Sequence, residues 1–167
     1  QRQMCIRDSL DTSQLLEREI TAELMKRVDE VPIAMALAQA ANESAWGTSR
    51  FAVEGNNIFG QWCFEQGCGL VPLQRKGNAS YEVRKFDSVG ASVSAYIKNI
   101  NSQYSYEELR EWRARMRSRN EPLNAFDLVA GLSAYSERGE DYVDEIRSLI
   151  VQNELCLLYT SPSPRDS

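Results

Sequence analysis

The chain has 167 residues, 43% hydrophobic and 26% charged, which suits a soluble globular domain large enough for its own core. A net charge of −5 argues against nucleic-acid binding, which requires a basic face. The absence of histidine excludes Ser-His-Asp and Cys-His nucleophile systems and nearly all catalytic zinc sites, so carboxylates, tyrosines and amides would carry any chemistry. No Walker or dinucleotide glycine pattern is present. No apolar run reaches eighteen residues, so no transmembrane helix is expected. No secretory signal is visible, and the N-terminus reads as truncated, which leaves a lost signal or anchor open.

Both ends fall outside any pattern. Arg7-Asp8-Ser9 recurs as Arg165-Asp166-Ser167, and Thr160-Ser161-Pro162-Ser163-Pro164 has no helical or strand period. Residues 1–9 and 156–167 are therefore read as non-native or disordered tails around a single domain over 10–155. Within it, Leu16, Ile20, Leu24 and Val28 recur every four residues and predict an amphipathic helix. Pro32 fits the first turn of the next. The alanine-rich stretch from Ile33 to Ala41 is almost wholly apolar and predicts a central helix buried on all sides, closed by Gly47 as its left-handed cap. Residues 51–69 read as loop. Extended runs near 69–74 and 80–86 predict a hairpin through Arg75-Lys76-Gly77-Asn78.

Asp87 or Ser88 caps a further helix with an inner face of Val89, Val93, Tyr96, Ile97 and Ile100. Leu109, Trp112 and Met116 mark another, on which Arg110, Arg113, Arg115, Arg117 and Arg119 form a charged face open to water or to anionic carboxylates. A short helix follows at Phe126, Val129 and Ala130, and the last carries Tyr142, Ile146, Leu149 and Ile150. The expected class is α+β, mainly helical, without repeats or an internal linker.

Glu43 ends the most apolar segment. Burial and the negative end of the helix dipole both favour its neutral acid, and Trp46 can supply an apolar wall. A carboxyl kept protonated near neutral pH is what a glycosidase general acid requires. From spacing alone, a solvated glutamate at a helix end remains the plainer alternative.

The segment Ala40-Ala41-Asn42-Glu43-Ser44-Ala45-Trp46-Gly47-Thr48-Ser49-Arg50-Phe51 resembles the catalytic segment of the glucosaminidases of glycoside hydrolase family 73. Gly55-Asn56-Asn57-Ile58-Phe59-Gly60 resembles that family's asparagine-leucine-phenylalanine-glycine turn. Tyr135-Ser136 and Asp141-Tyr142 are similar to its C-terminal tyrosine motif. The stretch Trp62-Cys63-Phe64 to Gly67-Cys68-Gly69-Leu70-Val71-Pro72 is similar to the Bax-like branch of Gram-negative bacteria. The resemblance spans roughly residues 30–155. It implies a lysozyme-like fold, with a helical lobe, a small β-hairpin lobe and a cleft between them. It further implies hydrolysis of the β-1,4 bond after N-acetylglucosamine in peptidoglycan, with Glu43 as the acid.

The resemblance also points to supporting residues. Glu82, just before Val83-Arg84-Lys85-Phe86, stands where family members carry a β-lobe acid, with Glu65 second in line. Tyr135 and Tyr142 are candidates for stabilising the charged intermediate or positioning water, or else for core packing. Asn56 and Asn57 would shape the sugar subsite, or merely tolerate a left-handed turn. Phe59, Trp62 and Trp46 are aromatic candidates against a pyranose, Phe59 and Trp62 equally well as core. Cys63 and Cys68 either close a small disulfide, which suits the periplasm, or stand as free thiols. No metal or cofactor is expected, and the partners are glycan strands of peptidoglycan, met by a monomer in the periplasm or cell envelope. A lytic transglycosylase of the same fold and a non-catalytic wall-binding module are the competing readings.

Overall fold

The computed structural model describes residues 17–73, 75 and 80–159. Its helices are α1 (Glu17–Lys26), α2 (Ile33–Ser44), α3 (Arg50–Gly55), α4 (Val89–Ser102), α5 (Glu107–Ser118), α6 (Ala125–Leu128) and α7 (Glu140–Gln152). Short 3-10 segments occupy Tyr104–Tyr106, Val129–Leu132 and Leu155–Tyr159. The strands β1 (Trp62–Cys63), β2 (Gly69–Leu70) and β3 (Glu82–Arg84) form one three-stranded antiparallel sheet in the order β1-β3-β2. The architecture is thus mainly helical α+β.

The chain divides into two compact units, residues up to Ala38 with Lys98 onward, and Gln39–Ile97, the borders falling within α2 and α4. In the first unit, the 3-10 segment Val129–Leu132 packs against α5, α6 and α7. Among the described residues, Ala34, Met35 and Ala38 are wholly buried there, as are Ile100, Leu109, Leu128, Val129, Leu132, Val143, Ile146 and Ile150. Each buried leucine or isoleucine contributes roughly 1.5–3 kcal/mol, which is where most of this unit's stability originates. The approach is close at Gly131, where a Cβ would stand 2.6 Å from that of Leu109.

Two arginines expected in the charged face are core residues instead. Arg113 is fully buried, and its guanidinium donates to the carbonyls of Lys26 and Glu30 and to Asn101 Oδ1. Arg110, 1% exposed, donates to the carbonyls of Ile100 and Gln103. The reason is local. The last carbonyls of α1 and α4 lack partners within their own helices, and a planar five-donor fork can serve several at once. Burial lowers the Arg113 pKa to about 10. Arg117, half-exposed, remains on the surface and bonds Asp29 and Glu30.

The second unit contains the end of α2, then α3, the sheet and the start of α4. Residues 51–69 are not all loop as expected. Ser49 caps α3 by accepting the Ala52 N–H, and Asn56, at φ 52°, closes it. The expected hairpin is present as the pairing of β2 with β3, in register Gly69↔Arg84 and Leu70↔Val83. The unforeseen β1 adds to the opposite edge of β3. Most of the hairpin's expected connection lies outside the described residues, as do Leu16, Cys5 and the first expected tail. The second expected tail begins inside the 3-10 segment Leu155–Tyr159.

Two buried faces are narrower than expected. On α2, Ala34, Met35, Ala38 and Gln39 are closed from solvent, but Ile33 and Leu37 are about half exposed. On α4, Ser92, Tyr96 and Ile100 form the inner row at four-residue spacing, while Val89 and Ile97 face outward.

Candidate active site

Glu43 is the penultimate residue of α2 and is partly exposed. After Ser44 the backbone turns left-handed at three successive residues, Ala45 (φ 50°), Trp46 (φ 58°) and Gly47 (φ 78°). The Trp46 N–H reaches back to the Ala41 carbonyl at 2.8 Å, and the Ala45 N–H points to that of Asn42. This is the six-to-one and five-to-two pairing of a Schellman cap. The cap position belongs to Ala45 rather than to Gly47, two residues earlier than the glycine signal suggests. The turn leaves Trp46 64% exposed.

The Asn56–Gln61 turn packs against this helix end. Gly60 is left-handed at φ 63°, and a Cβ on it would lie 3.2 Å from Glu43 Oε2. A bare glycine therefore lets the backbone sit directly on the carboxyl group. Asn57 builds the turn from within. Its Nδ2 donates to the carbonyls of Gln61 and Arg84, and its Oδ1 accepts the N–H groups of Phe59 and Gln61. Asn56 donates to the Phe86 carbonyl.

These contacts correct the expectation for two substrate-binding candidates. Asn57 is 1% exposed with its amide committed to backbone, so it shapes the turn and does not touch sugar. Phe59 is 2% exposed and stacks on Tyr96 at 3.9 Å between centroids, which makes it a core aromatic and no platform for a pyranose. Tyr96 in turn bonds the buried Gln39 at 2.6 Å, one helical turn before Glu43. A continuous buried row of Gln39, Tyr96 and Phe59 thus supports the turn on which Glu43 rests. The sequence signal for it was the period of α4, where Tyr96 was read simply as apolar.

Trp62 on β1 is 54% exposed and lies against Tyr81, with ring centroids 4.4 Å apart and an interplanar angle of 13°. This flat aromatic pair suits stacking on a sugar ring. Tyr81 was not foreseen; its place just before β3, two residues ahead of the Val83 that pairs with Trp62, is the signal it offered.

Glu82 is buried in the central strand, and its two oxygens accept the N–H groups of Gly67 (3.0 Å) and Gly69 (2.8 Å). Those amides, with a smaller contribution from Arg75, hold its carboxyl below the ordinary glutamate range. Cys63 and Cys68 are joined in a disulfide, which closes the loop that Glu82 grips. Both sulfurs lie near the Glu82 carboxylate, but bonded to each other they offer no thiolate to a metal. Glu65 is exposed on the same loop.

The two tyrosines lie in the other unit. Tyr135 and Tyr142 stack at 5.5 Å and 7°, with Tyr106 tilted against Tyr135 at 6.1 Å. Tyr142 is 1% exposed on the inner face of α7, whereas Tyr135 keeps part of its surface.

One unit thus brings together a helix-end glutamate, a glycine turn against it and exposed tryptophans. The chain belongs to the glucosaminidase family, described as mannosyl-glycoprotein endo-beta-N-acetylglucosaminidase, whose model matches residues 18–155. Among known proteins it is similar to Protein bax of Escherichia coli (strain K12), at 35% identity over 131 residues. The match takes in 78% of this chain and 46% of that protein, so the chain spans about half the length of this relative. No solved structure matches the chain. Among the described residues, no helix is long and apolar enough to cross a membrane.

Proposed function

We propose that this chain hydrolyses the β-1,4 glycosidic bond after N-acetylglucosamine in peptidoglycan, as an endo-β-N-acetylglucosaminidase, with Glu43 as the general acid. The observation that carries the reading is the seating of the Glu43 carboxyl against Gly60 at the end of α2. There it can give a proton to the leaving glycosidic oxygen. Membership of the glucosaminidase family supports the reaction class.

Glu82 serves as the anionic partner. A carboxylate that accepts two amide N–H bonds stays ionised, so it stabilises positive charge and does not donate a proton. Of the two tyrosine candidates, Tyr135 is the one with surface left to meet a ligand, which Tyr142 lacks. Trp46 and the Trp62–Tyr81 pair bind the glycan by stacking, and Asn56 holds the edge of the subsite. The working place is the periplasm or cell envelope, where the Cys63–Cys68 disulfide persists.

Digestion of peptidoglycan by the purified chain and by Glu43→Gln, with products identified by mass spectrometry, tests this. Wild type should release fragments with N-acetylglucosamine at the reducing end, and the variant should lose about 10²–10⁴-fold in rate. Anhydromuramic ends would instead mark a lytic transglycosylase. A folded wild type that binds wall without turnover would mark a binding module.

A further inference from the structure

Immediately after Glu43 the chain does something sterically unfavourable. Ala45 and Trp46 both carry a Cβ, and both sit in the left-handed region at φ 50° and 58°. Such backbone persists only where the surroundings over-determine it. Ser44 supplies that constraint. It is 3% exposed, and its hydroxyl donates to the Ala40 carbonyl at 2.6 Å while accepting the Gly47 N–H at 2.7 Å. One oxygen thereby ties the last turn of α2 to the far end of the left-handed segment. The Ser44 carbonyl adds a second tie, accepting the Ser49 N–H at 2.9 Å.

The alternative conformation is simple to state. Were Ala45 and Trp46 right-handed, α2 would continue, and Trp46 would fall three residues on from Glu43 on the same helical face. The indole would then cover the carboxyl, and Ser49 would lose its place as the cap of α3. The left-handed turn keeps the ring away from that position and presents it to solvent.

We propose that Ser44 is a positioning residue whose hydroxyl locks the Ala45–Gly47 turn, holding the Glu43 carboxyl uncovered and Trp46 displayed toward the glycan. The proposal rests on Glu43 being the acid, and it gives a role to a side chain that need not touch substrate. Breaking the lock by Ser44→Ala lets the turn relax toward helix. Adding Ala45→Gly to that variant restores the turn by another route, since glycine takes the left-handed region without a steric penalty.

The test measures kcat and KM on soluble glycan oligomers at temperatures where every variant is folded, together with tryptophan emission. Emission is read in chains carrying Trp62→Phe and Trp112→Phe, so that Trp46 alone reports. Ser44→Ala should lower kcat about 10- to 100-fold through misplacement of the acid, with KM raised and the Trp46 emission shifted to the blue. Ser44→Ala with Ala45→Gly should recover most of the kcat and the wild-type emission. Unchanged kcat and emission in Ser44→Ala would overturn the proposal, as would a double variant that regains thermal stability but not kcat. Should Glu43→Gln keep full turnover, the acid reading fails. The emission change and its reversal by Ala45→Gly would still establish or refute the lock.

Discussion

Glu82 shows how one side chain can be claimed by chemistry and by architecture together. Its oxygens fix the Gly67 and Gly69 amides, and through them the disulfide loop that follows Trp62. Because its folded pKa is depressed, it contributes stability above the ordinary glutamate pKa of about 4.3, and that contribution is lost as pH falls through the folded value. Glu82→Gln should therefore lower Tm at pH 7, and the gap to wild type should narrow below about pH 4, followed by thermal melts across that range. Gly60 makes a second prediction. Any Cβ there meets both an unfavourable φ and the Glu43 carboxyl. Gly60→Ala should cost about 1–2 kcal/mol from the backbone alone and lower kcat as well, checked by denaturant titration beside the digestion assay. At this scale the sequence named candidates for chemistry by residue type and spacing. It did not separate Phe59, which packs on Tyr96, from Trp62, which faces solvent, because aromatic type and spacing are alike in both.

Elements were legible where hydrophobic period and caps agree. The helices α4, α5 and α7 fall where their apolar rows predict, while of Phe126, Val129 and Ala130 only the first lies in α6 and the other two in the 3-10 segment after it. Ser88 caps α4 as one of two residues expected to do so, accepting the Ala91 N–H. The failures have physical causes. α3 is six residues long and begins in a segment dense with glycine and asparagine, so its own period is too short to register. β1 has two residues and exists by pairing with β3, a contact distant along the chain. The arginine-rich face of α5 failed because charge predicts exposure unless a partner is waiting, and the partners here are backbone carbonyls at the ends of α1 and α4. Arg113→Ala would take the donor from two such carbonyls, those of Lys26 and Glu30, and from the buried Asn101 Oδ1. We expect a loss of about 3–5 kcal/mol with m unchanged, measured by urea unfolding.

On the scale of the whole molecule, a net charge of −5 sets the terms on which the protein would meet the proposed peptidoglycan substrate. The peptidoglycan wall is itself anionic, so long-range forces between the two are repulsive and are screened by salt. Binding to purified wall sacculi should hold constant or strengthen between low and physiological ionic strength, where a basic wall-binder would weaken; a sedimentation assay over a salt series decides this. The sequence by itself determined the mainly helical α+β class, the helix with Glu43 near its end, the hairpin after it and the chemistry open to a chain without histidine. Periodicity, capping and composition are local properties written along the chain. Only the tertiary structure decided that Gly60 lies on Glu43, that Phe59 and Tyr142 are core, that Glu82 grips the disulfide loop, and that Arg110 and Arg113 are interior. Each of these depends on which distant backbone groups and side chains come together, and burial and hydrogen-bond partners are fixed by that meeting and not by residue type.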